Sequence, residues 1–269
     1  MPQTILALIE QAETAPSVLA TAALLQQRLK AGPIQLLHVS HDPHQGFMPT
    51  EEVMTAQRWQ ALTEQAAART EALKAVVDSW QVSADQAVWH ERTGDTETIL
   101  RTECAMADFI VARRSVTGSA RRTLHTLLFD VCRATLIAPR AAPVSLGRHV
   151  VVAWKESSSA ERVLKFAMPL LMQADQATLL IGREHVEDMT EEPAWFMQAL
   201  VAGNVPIGVR RFDIGQRAVG EALLLEAQAA GGDLLVMGAY THSRLREVML
   251  GGATRDILSD ASLPVLLAH

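Results

Sequence analysis

The chain has 269 residues, 49% hydrophobic content and a formal net charge of −6 at pH 7. This length and apolar content suffice for one large domain or two small ones with buried cores. The negative charge opposes binding to nucleic acid and to anionic membranes. The sequence has no CxxC pair, no basic-then-apolar leader at its start, and no apolar run of the roughly 18 residues that a membrane span needs. We therefore expect a cytoplasmic protein without nucleic-acid or membrane partners.

Short apolar runs alternate with stretches of helical spacing along the first half of the chain. The runs predict strands at residues 4–9, 34–39, 86–91, 109–112 and 135–138, and the helical spacing predicts helices at 19–29, 51–80 and 96–105. Gly32-Pro33 is a stop signal after the first of these helices. Strands that are apolar throughout and alternate with helices are typical of a parallel sheet covered on both faces.

The same pattern starts again after the Pro-containing and Gly-containing segment 141–147. Predicted strands at 149–154, 177–181, 207–212, 234–237 and 265–268 alternate with predicted helices at 163–171, 194–202, 219–230 and 253–259. Ile5–Glu10 aligns with Val150–Lys155, and Asp108–Val111 aligns with Asp233–Val236. The alignment indicates an internal repeat of two α/β domains, 1–143 and 147–269, each with an open parallel five-stranded sheet. The first copy carries an insertion within 41–59, which we predict to cover its site as a lid.

A ligand site is expected at the carboxyl ends of the strands, beside the loop that follows the fourth strand of each copy. In the second copy this loop contains Gly238, Thr241 and the pair Gly251-Gly252. Glycines allow a sharp turn and let backbone amides approach a phosphate without a Cβ in the way. The loop therefore predicts an anion or nucleotide site in the second copy.

These residues resemble the universal stress protein family, whose signature is G-x2-G-x9-G-S/T followed by a Pro-Val-Leu strand. The chain has Gly238-x2-Thr241-x9-Gly251-Gly252 and then Leu263-Pro264-Val265-Leu266-Leu267, so the spacing agrees completely and the identities agree in part. With the repeat, the resemblance covers almost the whole chain. It implies a tandem member of the family with two Rossmann-like domains of the adenine nucleotide alpha hydrolase-like type.

The resemblance also implies adenine nucleotide contacts, and the sequence departs from the ATP-binding pattern at several of them. Such members have Asp at the end of the first strand, where this chain has Glu10 and Lys155, and Arg113 replaces the leading glycine of the first copy. We therefore predict no family-type ATP binding in the first copy, and weak binding of ATP or another adenine nucleotide with magnesium in the second. The implied contacts are Ala153 and Ile181 near the base, and Gly238, Gly251, Gly252 and Ala253 near the phosphates.

Other polar groups have two interpretations each. Arg113, Arg114, Arg121 and Arg122 either trap an anion or form a solvated loop that offsets nearby acids. His38, His41 and His44 have a spacing that zinc ligands use, but no fourth ligand is evident, so we expect no metal. Trp154 either stacks on a base or packs under a helix, and we favour packing. Cys104 and Cys132 are interpreted as small buried hydrophobes.

No catalytic motif is present among G-x-S-x-G, H-E-x-x-H, the phosphate-binding loop and G-x-G-x-x-G. The leading hypothesis is a non-enzymatic stress-response protein that binds an unidentified protein partner or a small ligand. Its halves would pack as the intrachain version of the family's homodimer through strands 135–138 and 265–268, and a further homodimer stays open. The alternative is an ATP-binding switch or slow ATPase on the Gly238–Gly252 loop. A flavodoxin-like cofactor protein would need a glycine loop after the first strand, and neither copy has one.

Overall fold

The fold was analysed in a computed structural model that describes residues 3–40, 56–80, 86–114, 118–183, 190–239 and 252–269. In the first half the strands are β1 Ile5–Leu8, β2 Ile34–Ser40, β3 Ala87–Thr93, β4 Phe109–Arg113 and β5 Ala134–Ala138. The helices are α1 Ala15–Leu29, α2 Ala56–Ser79, α3 Thr96–Glu103 and α4 Gly118–His125. A 3-10 turn, Cys104–Met106, follows α3, and a π-helical segment, Thr126–Val131, follows α4.

The second half repeats this order of elements. Its strands are β6 His149–Ala153, β7 Gln176–Arg183, β8 Ile207–Asp213, β9 Leu234–Gly238 and β10 Val265–Ala268. Its helices are α5 Ser158–Leu171, α6 Ala194–Ala202, α7 Val219–Ala229 and α8 Gly252–Asp260. The alternation of strands and helices that the sequence predicts is therefore confirmed.

All ten strands form one sheet, in the order β3-β2-β1-β4-β5-β10-β9-β6-β7-β8. Every neighbouring pair is parallel except β5 and β10, which are antiparallel. The two predicted five-stranded sheets are joined edge to edge, because the backbone groups of the two closing strands hydrogen-bond to each other. The closing strands do form the contact between the halves, as the resemblance implied.

The register of the β5–β10 pair relates the halves by an approximate two-fold axis. Leu136 pairs with Leu266, its own counterpart in the repeat, and Ile137 and Thr135 pair with Val265 and Leu267. In a symmetric dimer, a residue on the two-fold axis contacts its own counterpart, and if residue i contacts residue j of the partner, then j contacts i of the partner. The pairs across β5 and β10 follow this rule. The chain therefore contains within itself the kind of interface that two identical subunits would form.

Equivalent hydrogen bonds in the two halves support the internal repeat. Asp108 accepts a hydrogen bond from the backbone N–H of Thr4 at 2.8 Å, and Asp233 accepts one from the N–H of His149 at 3.0 Å. In each half this carboxylate precedes the fourth strand and fixes the start of the first strand. These four residues are aligned by the repeat, so the same local device occurs in both halves.

The core lies on both faces of the sheet and explains why the central strands are apolar throughout. All four residues of β1 and all four of β10 are buried. One large apolar cluster on each face spans the two halves. No helix within the described ranges is long and apolar enough to cross a membrane.

One boundary differs from its prediction for a local reason. The sequence placed the first helix of the second half at 163–171, whereas α5 begins at Ser158. The Ser157 hydroxyl accepts a hydrogen bond from the N–H of Ala160 at 3.2 Å and caps the helix. Apolar periodicity does not detect a polar first turn, but this cap signal does.

Candidate functional site

The residues predicted to contact a nucleotide lie mainly at one edge of the second half. Ala153 is the last residue of β6 and pairs with Leu180 of β7 and Met237 of β9. Gly238 ends β9, so Ala153 and Gly238 lie at neighbouring strand ends, whereas Ile181 lies two residues before the end of β7. Ile181 is fully buried, so its side chain belongs to the core and does not reach the surface of this edge.

Gly238 is held against the start of α5. A Cβ at this position would lie 2.7 Å from the backbone nitrogen of Ala160 and 2.8 Å from the Ser159 hydroxyl. Real Cβ atoms do not approach a backbone atom so closely, and the obstacle cannot rotate away. The glycine is therefore explained by the packing of the protein on itself, whether or not a ligand binds there.

The remaining predicted residues surround the start of α8. Gly252 is the first residue of α8, and a Cβ there would meet no atom of the described residues within 4 Å. Ala253 lies beside Gly220 of α7, where an added Cβ would be 2.7 Å from the Ala253 carbonyl oxygen. Gly251 and Thr241 lie outside the described residues.

We expect Gly238→Ala to destabilise the protein by about 1–3 kcal/mol, because the added methyl overpacks the start of α5. Gly252→Ala is the matched control: it adds the same methyl where no atom of the described residues lies within 4 Å, and we expect it to change stability by less than about 1 kcal/mol. Urea titration of both variants measures the difference. Equal stability of the two variants would contradict the close approach at Gly238.

The structure also shows a cavity of about 990 Å³ at the carboxyl edge of the first half, between the strand ends, α2 and α3. Its apolar part is formed by Leu8, Leu37, Val39, Leu73 and Leu100. Its polar part includes Glu10, Gln11, Glu13, Arg69, Asp95, Thr96, Glu97, Arg113, Arg122 and Thr123. We hereafter call it the first-half cavity. The segment predicted to act as its lid, 41–59, lies outside the described residues up to position 55, and 56–59 form the start of α2.

An ion pair occupies the part of this cavity where the second half has its leading glycine. Glu10 follows β1, and its carboxylate accepts a hydrogen bond from the Arg113 guanidinium at 2.9 Å. The Thr123 hydroxyl donates to the other carboxylate oxygen at 3.2 Å. Only 12% of the Arg113 side chain and 25% of the Glu10 side chain are exposed. The carboxylate at the end of the first strand is thus already neutralised by the chain itself.

The arginines after β4 are partly explained by this arrangement. Arg113 does offset a nearby acid, as one interpretation held, but it is not solvated. Arg114 donates to the carbonyl oxygen of Ala261, in the other half of the chain, at 3.1 Å. Burial, and then the positive charge of Arg140, lowers the pKa of Arg114. The interpretation of a solvated loop is therefore wrong for Arg113, whereas Arg114 is partly exposed.

His38 has a structural role in the described part of the chain. Its Nδ1 lies 2.8 Å from the carbonyl oxygen of Ile9, its Nε2 lies 3.2 Å from the Thr70 hydroxyl, and its ring stacks on Trp89. His41 and His44 lie outside the described residues, and among the described ones no His, Cys, Asp or Glu cluster could hold a metal. Trp154 is buried and donates from Nε1 to the Glu191 carbonyl at 2.8 Å, which confirms packing over base stacking.

The two cysteines differ, and one prediction about them is wrong. Cys104 is buried as expected, and burial raises the pKa of its thiol to about 12, with a smaller effect from Glu103. Cys132 is exposed, at the end of the π-helical segment, because its backbone adopts a left-handed turn there with φ of 54°. A thiol with a raised pKa stays protonated at pH 8 and is a poor nucleophile.

We therefore expect Ellman's reagent at pH 8 to modify one thiol in the native protein and two in the denatured protein. In Cys132→Ser the native protein should show no fast-reacting thiol. Rapid reaction of two native thiols would contradict the burial of Cys104.

Comparison with known proteins agrees with this architecture. Residues 147–269 match the family model described as the universal stress protein family. A universal stress protein from Archaeoglobus fulgidus has a similar structure, with a TM-score of 0.69 at 15% identity over 98% of this chain and 95% of that one. A functionally unknown protein from Pseudomonas aeruginosa gives a TM-score of 0.58 at 14% identity over 99% and 92%. No curated protein matches the chain.

The fold is thus that of a tandem Rossmann-like α/β protein with its candidate sites at the carboxyl edges of the strands. Residues 147–269 are thus a domain of the universal stress protein family. The likeness to solved structures over the full length is a likeness of fold, because the identities are low. Family membership supports a role in the stress response.

The first-half cavity corresponds to no sequence motif. It is built from residues far apart in the chain, above all Glu10 and Arg113, the two positions at which the first copy departs from the ATP-binding pattern. The signal that could have found it is positional: each of these residues follows or ends a central strand at the carboxyl edge, where ligands bind in this class of fold.

Proposed function

We propose that the chain acts in the stress response without catalysis, by binding a small organic ligand in the first-half cavity. The observation that carries the proposal is the cavity itself, about 990 Å³ at the carboxyl edge of the sheet. This volume lies at the upper end of the roughly 300–1,000 Å³ typical of small-molecule sites. An apolar floor with a few polar groups around it is the usual composition of such sites.

The charged residues around the first-half cavity limit the net charge of the ligand that it can bind. Acidic Glu13, Asp95 and Glu97 and basic Arg69 and Arg122 line it, besides the Glu10–Arg113 pair. A highly charged anion such as a nucleoside triphosphate would face these carboxylates. The lining fits a ligand with an apolar body and both hydrogen-bond donors and acceptors, and with little net charge.

Native mass spectrometry of the protein purified from its own cells tests the proposal. We expect a bound small molecule, detected as a mass in excess of the sequence mass, that is lost in Ala72→Trp. Ala72 lines the cavity from α2, and an indole there would fill part of it. Ala67→Trp is the matched control, because Ala67 lies on the roughly opposite face of the same helix and is exposed. Equal occupancy in both variants, or no adduct in the wild type, would reject the proposal.

A second candidate is an ATP-binding switch or slow ATPase in the second half. One observation favours it: Gly252 begins α8, no atom of the described residues lies within 4 Å of a Cβ there, and the N-terminus of a helix favours a phosphate. A universal stress protein from Archaeoglobus fulgidus was solved in complex with dAMP, with 19% identity and a TM-score of 0.33 over 45% of this chain and 96% of that one. That ligand is a property of that protein and carries no argument for this one.

Calorimetric titration with ATP and magnesium distinguishes the candidates. Gly252→Val is the test variant, because its side chain would cover the start of α8 without touching any of the described residues. Saturable binding that is lost in Gly252→Val and kept in Ala72→Trp would favour the nucleotide switch. Absence of heat at millimolar ATP would reject it. The division into domains 1–143 and 147–269, a further homodimer and a cytoplasmic location stay proposals beside this one.

A further inference from the structure

A second cavity lies at the junction of the two halves and shares Arg113 with the first-half cavity. It has a volume of about 380 Å³ and lies between the start of α1, the ends of β4 and β5, and the last turn of α8. We call it the junction cavity. Its polar lining includes Arg113, Arg114, Arg140, Ser17, Ser259 and Asp260.

Positive charge dominates this lining. Arg114 uses one N–H for the Ala261 carbonyl, and a guanidinium has five N–H donors. Arg140 is exposed and, within the described part of the chain, its side chain has no hydrogen-bond or ion-pair partner. Among the described residues Asp260 is the one carboxylate in the lining, and Arg113 is already paired with Glu10. Two arginines thus face one acid across a small space.

The start of α1 adds to the positive potential. The Thr14 side chain, at the N-cap, makes no capping hydrogen bond, and no acidic residue lies in the first turn of the helix. The N-terminus of a helix carries a partial positive charge that favours anions. The Ser17 hydroxyl donates its hydrogen bond to the Pro139 carbonyl at 2.6 Å, so it is not available to donate to an anion.

The approximate two-fold axis shows that this cavity is specific to one side of the junction. On the other side, the Phe129 ring packs against His125 and His269, with ring centroids 4.6 and 4.3 Å apart. The counterpart of Phe129 in the repeat is Ser259, whose small side chain leaves the space open. The counterparts of Arg113 and Arg114 are Gly238 and Ala239. One side of the junction is therefore filled with rings, and the other is open and lined by arginines.

We propose that the junction cavity binds a small dianion of the phosphate class, either free orthophosphate or the phosphoryl group of a small metabolite. Arg114 and Arg140 donate charge-assisted hydrogen bonds to its oxygens, and Thr14 and Ser17 at the start of α1 line the same space. Guanidinium groups match the geometry of phosphate oxygens and hold their charge at every physiological pH. These donors all belong to the first half, and the second half closes the cavity with Leu258, Ser259 and Asp260.

Calorimetric titrations with inorganic phosphate and with glycerol phosphate, in low salt, test the proposal and separate the two sources. We expect saturable binding of at least one of them and a rise in Kd of about tenfold in Arg140→Gln, as for the loss of one charge-assisted hydrogen bond. Asp260→Asn should lower Kd, because it removes the competing carboxylate. Arg148→Gln is the control: Arg148 is 70% exposed and pairs with Asp175, away from the cavity.

Ser259→Phe is a second, independent variant. It reproduces on this side the ring that fills the other side, so we expect it to abolish phosphate binding and leave the circular dichroism spectrum unchanged. If this variant does not fold, the comparison of Arg140→Gln with Arg148→Gln still decides. Equal Kd values for those two variants, or no saturable binding of either probe to the wild type, would overturn the proposal.

Discussion

Replacing Leu136 by Asp will unfold both halves of the chain together. Leu136 is fully buried in β5 and pairs with Leu266 of β10 at the centre of the junction. An aspartate there would be an unpaired charge between two layers of helices, a change that costs more than about 4 kcal/mol. Because the sheet and both apolar clusters continue across this strand pair, the second half loses its support when the first half is disrupted.

Hydrogen exchange read by mass spectrometry measures the effect in the second half directly. We expect the amides of β6, two strands beyond β10, to lose protection in Leu136→Asp although the substitution lies in the first half. Val88→Asp is the control, because Val88 lies on the edge strand β3 and is 38% exposed. If β6 keeps its protection in Leu136→Asp, the halves are independent and the continuous sheet does not couple them.

Most of the fold could be predicted because its strands are short apolar runs separated by helical spacing. The helix at 194–202 and the strand at 265–268 were predicted at their observed bounds. The joining of the two sheets could not be deduced from these patterns, because a buried strand looks the same whether its neighbour comes from its own copy or from the other. Only the resemblance pointed to the closing strands.

The candidate sites were less predictable, and Gly238 shows why. A glycine after the fourth strand was attributed to a phosphate, but the observed reason is the start of α5, which touches it from within the chain. A conserved spacing of glycines in a motif indicates that other atoms approach the glycine closely. It does not indicate whether those atoms belong to a ligand or to the protein. The first-half cavity lies at the strand edge where the sequence led us to expect a site in each copy, but the pairing of Glu10 with Arg113 inside it could not be deduced, because the two residues are 103 positions apart.

Glu10→Ala will destabilise the protein by about 2–3 kcal/mol. The substitution leaves the Arg113 guanidinium, 12% exposed, without its carboxylate, and removal of one partner of a buried pair costs about 3–5 kcal/mol when burial is complete. We take a lower value because a quarter of the Glu10 side chain is exposed. Urea unfolding followed by circular dichroism gives the free energy of unfolding.

The double variant Glu10→Leu/Arg113→Met separates the cost of an orphaned charge from the value of the pair. We expect it to be nearly as stable as the wild type, because apolar side chains of similar size replace both partners and leave nothing unpaired. Stability as low as in Glu10→Ala would instead show that the pair itself stabilises the fold.

Arg113 lines both cavities, so its release in Glu10→Ala also adds a free guanidinium beside Arg114. If phosphate binds in the junction cavity, Glu10→Ala should therefore bind it more tightly while being the less stable protein, a combination that general loosening of the structure would not produce.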